Sequence, residues 1–493
     1  MPNMDIDMAG AGERVTPPVA ARIDLGAIHA LEARLQGRLI RPGDADYDEA
    51  RAVWNGMIDR YPALIARCAS VDDVVAAVGF AREQGLLVAV RGGAHSVAGH
   101  AVCDGGLVID LSRMARVEVD PEARVARAGG GATWGEVDAA TQAYGLATPG
   151  GVFSRTGIAG LTLGGGFGWL RNTYGLSCDN LVAAEIVTAD GRVLRASETE
   201  NRELLWGLRG GGGNFGVVTR FEYRLHPVGP EVMFVFALHD GGGENMARAI
   251  RFYRDFCSGA PDEANTIAAC GIVPPHPEMY PVELHGRPFV LLGGLYAGPP
   301  EDGKRALQPL RDFGAPLVDF SGVRPYVEAQ QAFDADYPDG MRYYWKSLNL
   351  MRLDNAVIDR LVAHARQQPS PLSTTDLWSV GGAMKRGDAA QSAFHGRHAA
   401  FLLNPEANWE DPRDDEANIR WARKFIADMR EFSDGGRYLN FAGFQEEGDE
   451  MMRGAFGPQY ARLLALKRQY DPANLFRLNQ NISPGADVVT VGS

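Results

Sequence analysis

From Ser70 to Gly85 the chain reads SVDDVVAAVGFAREQG, with apolar residues at helical spacing, an acidic first turn and a serine in the capping position. That spacing predicts a helix. The next segment, LLVAVRGG, is an unbroken apolar run that stops at glycine, which predicts a buried strand. GLVIDLSRM, VEVDPEARVARAGGGATW, LVAAEIVTADGRVLRAS and GVVTRFEYRLHPV read as further strands, with PEAR and ADGR as hairpin turns. Alternation of helix, strand and glycine loop in this way predicts an α+β fold whose loops gather on one ligand.

The pattern changes after LHPVGPE. From Val232 to about Gly435 glycine clusters thin out, and apolar strands (VMFVFALH, RPFVLLGGLYAG) alternate with helical segments (GENMARAIRFYRDFC, NAVIDRLVAHARQQ, EANIRWARKFIADMREF). A second α+β domain is expected there. The last sixty or so residues hold an amphipathic helix that breaks at Asp471-Pro472, and near the start VTPPVAARIDL reads as an unanchored lead-in. At 493 residues the chain is too long for one ordinary core, in keeping with two domains.

Composition narrows the class. Hydrophobic content of 45% and charged content of 23% are those of a soluble globular protein. The formal net charge of -13, without a basic run, argues against nucleic acid as a partner. No apolar stretch is long enough for a membrane span, and the N-terminus lacks the basic-then-apolar pattern of a secretory signal. A cytoplasmic protein without a membrane partner is expected. The five cysteines are scattered and form no CxxC pair, so neither a structural metal site nor a disulfide framework is expected.

Candidate chemistry lies in three glycine-rich stretches: VRGGAHSVAGH (Val90 to His100), TPGGVFSRTGIAGLTLGGGFGWL (Thr148 to Leu170) and LRGGGGNFGVVT (Leu208 to Thr219). In the first, Arg91 and the exposed amides are placed to hold phosphate. In the second, the run Gly164 to Gly166 is costly for a core unless something flat or polyanionic packs on its backbone. No GK[ST] follows, which excludes a Walker loop, and GxGxxG does not occur in a strand-turn-helix context. A large dinucleotide cofactor bound outside a Rossmann fold is the better account.

Taken together, VRGGAHS, GIAGLTLGGGFG, YGLSCDNLVAAEIVTADGRV, GNFGVVT, YLNF and YDPANLFRLNQNI resemble the berberine-bridge-enzyme-like FAD-linked oxidases of the vanillyl-alcohol-oxidase superfamily, from about Tyr61 to Ile482. The resemblance implies a two-part FAD-binding domain of the p-cresol methylhydroxylase type plus an α+β substrate domain, an antiparallel sheet backed by helices. It divides the chain into a lead-in and start of the FAD domain (1–60), the FAD-binding domain (61–230), the substrate domain (231–435) and a return to the FAD domain (436–493). It implies a covalent bond from His95 to the flavin 8α-methyl group, and a pyrophosphate resting on amides of Gly92, Gly93, Ala94 and Ser96. The further cofactor positions it implies are Arg91, Gly99, Thr156, Gly157, Gly160, Gly164, Gly165, Gly166, Asn180, Val187, Asn214, Gly216, Val217, Asn479 and Asn481. Several members carry a second link through a cysteine before the glycine run. This chain has Val152-Phe153-Ser154-Arg155 there, so a single link is expected, with Cys103 and Cys178 as small buried residues.

For chemistry, the resemblance implies hydride transfer from a C–H next to O or N of a small-molecule substrate, with molecular oxygen as acceptor. Tyr438 takes the position of the base, with Asn440 two residues on. An ordinary tyrosine titrates near pH ~10, so a base role needs a positive charge or strong donors nearby; Lys346 matches a family lysine, with Tyr343 or Tyr344 beside it as pocket lining. His100 has no match in the family and reads as structural. Two departures stand out: Gly396 interrupts a family histidine position flanked here by His395 and His398, and Thr156 replaces an aliphatic residue near flavin C4a. The alternatives are a dehydrogenase or oxidative cyclase with another acceptor, or a silent flavin-binding protein. A monomer or homodimer is expected.

Overall fold

The computed structural model describes residues 23–444 and 448–485, so most of the lead-in, VTPPVAAR, lies outside the described residues. Its end is anchored: the Asp24 carboxylate accepts from Ala27 N and caps a helix, Leu25–Arg34, whose Ile28 and Leu31 are buried. The predicted helix forms over Val71–Gln84, capped by Ser70 Oγ and closed by Gly85 in the left-handed region (φ 64). It crosses from strand Leu64–Arg67 to strand Val88–Arg91, and strand Leu107–Asp110 lies between and parallel to both. Arg38–Ile40 completes this four-stranded sheet on one edge, antiparallel.

A five-stranded antiparallel sheet follows, in the order Val117–Asp120, Val125–Gly129, Val217–Arg224, Leu181–Val187, Val193–Ser197. PEAR and ADGR are its hairpin turns, as expected. The tail of VEVDPEARVARAGGGATW is not strand: Thr133 and Glu136 form a capping box that starts a helix at Trp134–Gln142. Reciprocal capping of this kind satisfies two otherwise orphaned backbone amides and outweighs the β-propensity of its neighbours.

From Glu231 to Trp409 the chain builds a nine-stranded antiparallel sheet. Helices Asn245–Gly259, Asn355–Ala365 and Asp415–Met429 cover one face, packing on Val235, Leu292 and Leu403. Alternate residues of the same strands, such as Phe234, Leu291 and Leu402, face the other way and share a core with Trp54, Phe167 and Trp169 of the glycine-rich half. Period-two alternation thus gives this sheet two buried faces. No described helix is long and apolar enough to cross a membrane.

The C-terminal segment returns to the first half. Helix Tyr460–Tyr470 ends where Asp471 begins, and its Lys467 is fully buried. Lys467 Nζ donates to Asp471 Oδ2 (2.7 Å), Phe476 O (2.9 Å) and Asn214 O (3.1 Å), while Asp471 accepts from the amides of Leu475 and Phe476. Removing one partner of such a pair leaves a buried charge uncompensated, at a cost of about 3–5 kcal/mol. Lys467→Met should therefore lower the urea midpoint of unfolding by an amount equivalent to about 3–5 kcal/mol. A change under ~1 kcal/mol would mean that the pair does not anchor this segment.

Candidate active site

Five loop segments distant in sequence line one cleft: Gly92 to Ser96, Gly151 to Gly164, Gly212 to Gly216, Tyr438 to Ala442 and Phe476 to Gln480. Two of them touch backbone to backbone. A β-carbon on Gly93 would stand 2.6 Å from Gly157 Cα, and one on Gly157 would stand 2.8 Å from Gly93 Cα. Only glycine permits that approach. Between Gly93 and His95, Ala94 adopts φ 55, uncommon for a residue with a side chain. Among the described residues, the amides from Gly92 to Ser96 have no backbone acceptor.

His95 is held by rings. It stacks on Trp54 (centroids 4.0 Å, planes 16° apart), and Trp54 stacks on Tyr343 (3.8 Å, 11°) of the nine-stranded sheet. Asn55 locks the arrangement, its Nδ2 donating to Val97 O and Tyr343 O. Burial pushes the imidazole down to about 3, with Arg155 adding to the effect. His95 is therefore neutral and keeps a lone pair free to act as a nucleophile. Nothing in the sequence around Trp54 and Asn55 announces this role, which arises only when Tyr343 is brought beside them.

Tyr438 also lines the cleft, just before a short 3-10 turn, Leu439–Phe441. Its Oη accepts from Gly166 N (3.1 Å), Phe167 N (3.1 Å) and Asn440 Nδ2 (2.8 Å). An oxygen facing three N–H donors is set up for negative charge. Burial nevertheless dominates and pushes the phenol up to about 12, with the three donors acting in the lowering direction. The donors that reach this oxygen are these three N–H groups. Lys346 is itself buried but is not part of the cleft wall. Tyr343 joins the His95 stack, whereas Tyr344 faces the helical layer and accepts from Arg423 Nε.

The other expected positions divide. Gly92, Gly93, Ala94, His95, Ser96, Thr156, Gly157, Gly160, Gly164, Gly216 and Asn479 line the cleft. Arg91 does not: its guanidinium is spent on the carbonyls of Ala50, Arg51 and Ala101, so it braces the loop and is not free for phosphate. The glycine run also differs from expectation. A β-carbon on Gly164 would collide with the Asn440 side chain, on Gly165 with Phe394 and on Gly166 with Ser177, so these glycines admit protein side chains. Gly165, Gly166, Gly99, Val187 and Val217 lie behind the wall, and Asn180 is bonded to Tyr174 O, Leu176 O and His226. Asn214 ties Gly211 O to Gln480 O and Ile482 N, and Asn481 likewise stands outside the wall.

His100, read from sequence as structural, is in the wall, and burial pushes it down to about 4. His395 and His398 are not; with Asp434 they form a small cluster elsewhere. Cys103 and Cys178 are buried outside the wall, their thiols pushed up by burial.

The cleft fits a large polar ligand. Thr156 Oγ1, His100 Nδ1, Asn479 Oδ1 and Gln480 Oε1 are buried in its wall without a protein partner, and such groups are normally satisfied. Gly160 and Gly213 have nothing within hydrogen-bonding or packing range of a β-carbon except Asn479 Nδ2 at 4.0 Å from Gly213, so side chains there would enter the cleft.

Comparison with known proteins agrees with this geometry. Residues 62–197 match the model of an FAD binding domain, and residues 437–483 match that of berberine and berberine-like proteins. The chain is 31% identical to (R)-6-hydroxynicotine oxidase of Paenarthrobacter nicotinovorans over 464 residues, 91% of this chain and 97% of that one. The crystal structure of 6-hydroxy-D-nicotine oxidase from Arthrobacter nicotinovorans superposes with a TM-score of 0.82 at 29% identity, covering 91% of this chain and 98% of that one. A chitooligosaccharide oxidase structure superposes with a TM-score of 0.80 at 25% identity, covering 93% and 100%.

Gly160 gives a direct check that the cleft holds the flavin. Gly160→Leu meets no protein atom at its β-carbon, so far-UV circular dichroism should be unchanged. The ratio of visible flavin absorbance to protein should fall by about tenfold or more, the loss expected from filling a preformed site. Full flavin content in this variant would place the cofactor elsewhere.

Proposed function

The chain belongs to the berberine-bridge-enzyme-like FAD-linked oxidoreductases, and from that premise we propose that it is an oxidase with FAD attached by one bond, through His95. Its substrate is a small alcohol, amine or biosynthetic intermediate that loses hydride from a C–H next to O or N. The product is the corresponding carbonyl or imine. Molecular oxygen accepts the two electrons and two protons, giving hydrogen peroxide, and the oxidase names of the similar proteins support that acceptor.

Flavin, when bound, supplies the two-electron sink; the chain supplies attachment, orientation and a base. His95 offers a neutral ring nitrogen in a rigid aromatic stack, which suits attachment. No cysteine among the described residues lines the cleft, which supports a single link. The observation that carries the reading is the Tyr438 oxygen, aimed into the cleft wall with three N–H donors on it. Those donors stabilise the phenolate, the form of Tyr438 able to take the substrate's O–H or N–H proton, and taking it returns the neutral phenol. Asn440 positions that oxygen and is itself fixed by donating to Leu161 O (3.0 Å).

Flavin should stay with the protein through acid precipitation and denaturing electrophoresis. His95→Ala should still bind flavin but release it on denaturation, and mass spectrometry should find flavin only on the peptide containing His95. Complete release of flavin from the wild type in acid rules out the covalent bond.

General-base help is typically worth about 10²- to 10⁴-fold. Tyr438→Phe keeps the ring but leaves three N–H donors without their acceptor, so anaerobic flavin reduction by a good substrate should slow by about that factor while stability falls by about 1–3 kcal/mol. Because burial holds the phenol up at about 12, the basic form grows as pH rises. Wild-type reduction should therefore accelerate with pH through neutral and mildly alkaline conditions, and the Phe variant should lose that slope. Wild-type rates in the variant would put the base elsewhere.

A further inference from the structure

Val152, Phe153 and Phe441 line the cleft and also a second cavity of about 300 Å³, set against the cleft-facing side of the nine-stranded sheet. Its walls are mostly apolar and carry several rings, among them Phe236, Tyr280, Phe289, Phe333, Tyr337 and Trp378. Its charged side chains are acidic: Asp376 and Glu406 on the sheet, Asp336 beside Tyr337, and Glu278 and Glu410 toward the opening. Among the described residues no lysine or arginine lines it. His276 lies there too, 3.3 Å from Glu278.

Two of these acids sit together deep in the wall. Strands Thr374–Ser379 and Phe401–Trp409 pair so that Asp376 faces Asn404 and Thr374 faces Glu406, which makes Asp376 and Glu406 diagonal neighbours on one face. Glu406 accepts from Tyr337 Oη (2.6 Å) and Asn404 Nδ2 (2.5 Å). Asp376 is 5% exposed, and its Oδ1 has no partner. Burial pushes Asp376 up to about 7, and burial together with the charge of Asp376 pushes Glu406 well up. Packing alone does not call for this pair, since apolar residues of similar volume would stabilise the sheet as well or better. What it lacks is a cation.

We propose that this cavity recognises the substrate through a cationic, amine-bearing group, held between the aromatic walls with Asp376 and Glu406 as its counter-charge. This rests on the oxidase reading above, the cavity being joined to the cleft at Val152, Phe153 and Phe441. An ammonium group supplies the missing partner of Asp376 Oδ1 and gains from the ring faces around it. A neutral hydroxyl can hydrogen-bond to the acids but, unlike an ammonium, does nothing to stabilise their ionised form, and a carboxylate is repelled by that form.

The test is calorimetry of the purified protein near neutral pH with benzylamine, benzyl alcohol and benzoate. Benzylamine should bind roughly tenfold or more tighter than benzyl alcohol, and benzoate weakest. In the double variant Asp376→Asn, Glu406→Gln, benzylamine should lose about tenfold or more while benzyl alcohol changes little. Equal binding of amine and alcohol by the wild type, or unchanged amine binding by a folded variant, overturns the proposal. If the variant does not fold, the wild-type order of the three probes decides alone. Visible absorbance keeps the two readings apart: a yellow protein without amine preference sinks this inference only, and a colourless one that prefers benzylamine sinks the flavin reading only.

Discussion

Everything at the cleft depends on the contact of Gly93 with Gly157. Their backbones approach so closely that a methyl group on either would stand 2.6–2.8 Å from the other's Cα. Overpacking a close contact of that kind typically costs about 1–3 kcal/mol and displaces backbone. Displacement here would separate the loop that carries His95 from the segment that carries Thr156 and Gly160. The amides that follow Arg91, on residues that line the cleft, have no backbone acceptor among the described residues. Arg91 completes the device by holding Ala50, Arg51 and Ala101 from behind.

Electrostatics in the cleft and in the cavity beyond it follow from burial opposed by specific donors. For His95 burial outweighs an opposing backbone hydrogen bond, and the ring is neutral. For Tyr438 three N–H groups oppose burial without overcoming it, so the phenol is protonated at neutral pH yet has its anion's hydrogen bonds already in place. Such preorganisation costs nothing further when charge develops. The acids Asp376 and Glu406 have fewer donors than Tyr438 relative to their charge, and so their environment favours an incoming cation. One sheet face therefore carries a ring stack for His95 through Tyr343 and an acidic wall on the next two strands.

Much was legible in the chain because it depends on local pattern. The helix after Ser70, the PEAR and ADGR hairpins and the break at Asp471 follow from caps, turns and spacing that act within a few residues. His95, Gly92, Gly93, Thr156, Gly157 and Tyr438, named from the resemblance, line one cleft in the structure. The resemblance did not distinguish residues that face the cleft from those one position behind it, as with Gly165, Gly166 and Val217. Facing is decided by the turn of the backbone at each residue, and φ 123 at Gly165 and 89 at Gly166 turn them away.

The sequence by itself determined the elements, the glycine loops, the family and the identity of the groups able to do chemistry. Tertiary structure alone decided their partners. Lys346 and Tyr438 read as a charge pair, but the donors that reach the phenol oxygen are the amides of Gly166 and Phe167, some 270 residues away in the chain, and Asn440. Trp54 and Asn55 had no visible role until Tyr343, on another sheet, was stacked beside them. Asp376 and Glu406 became a pair only through the register of two strands. Hydrogen bonding, stacking and Coulomb interaction fall off within a few ångströms, so they depend on which segments the fold brings together, and spacing along the chain carries no record of that.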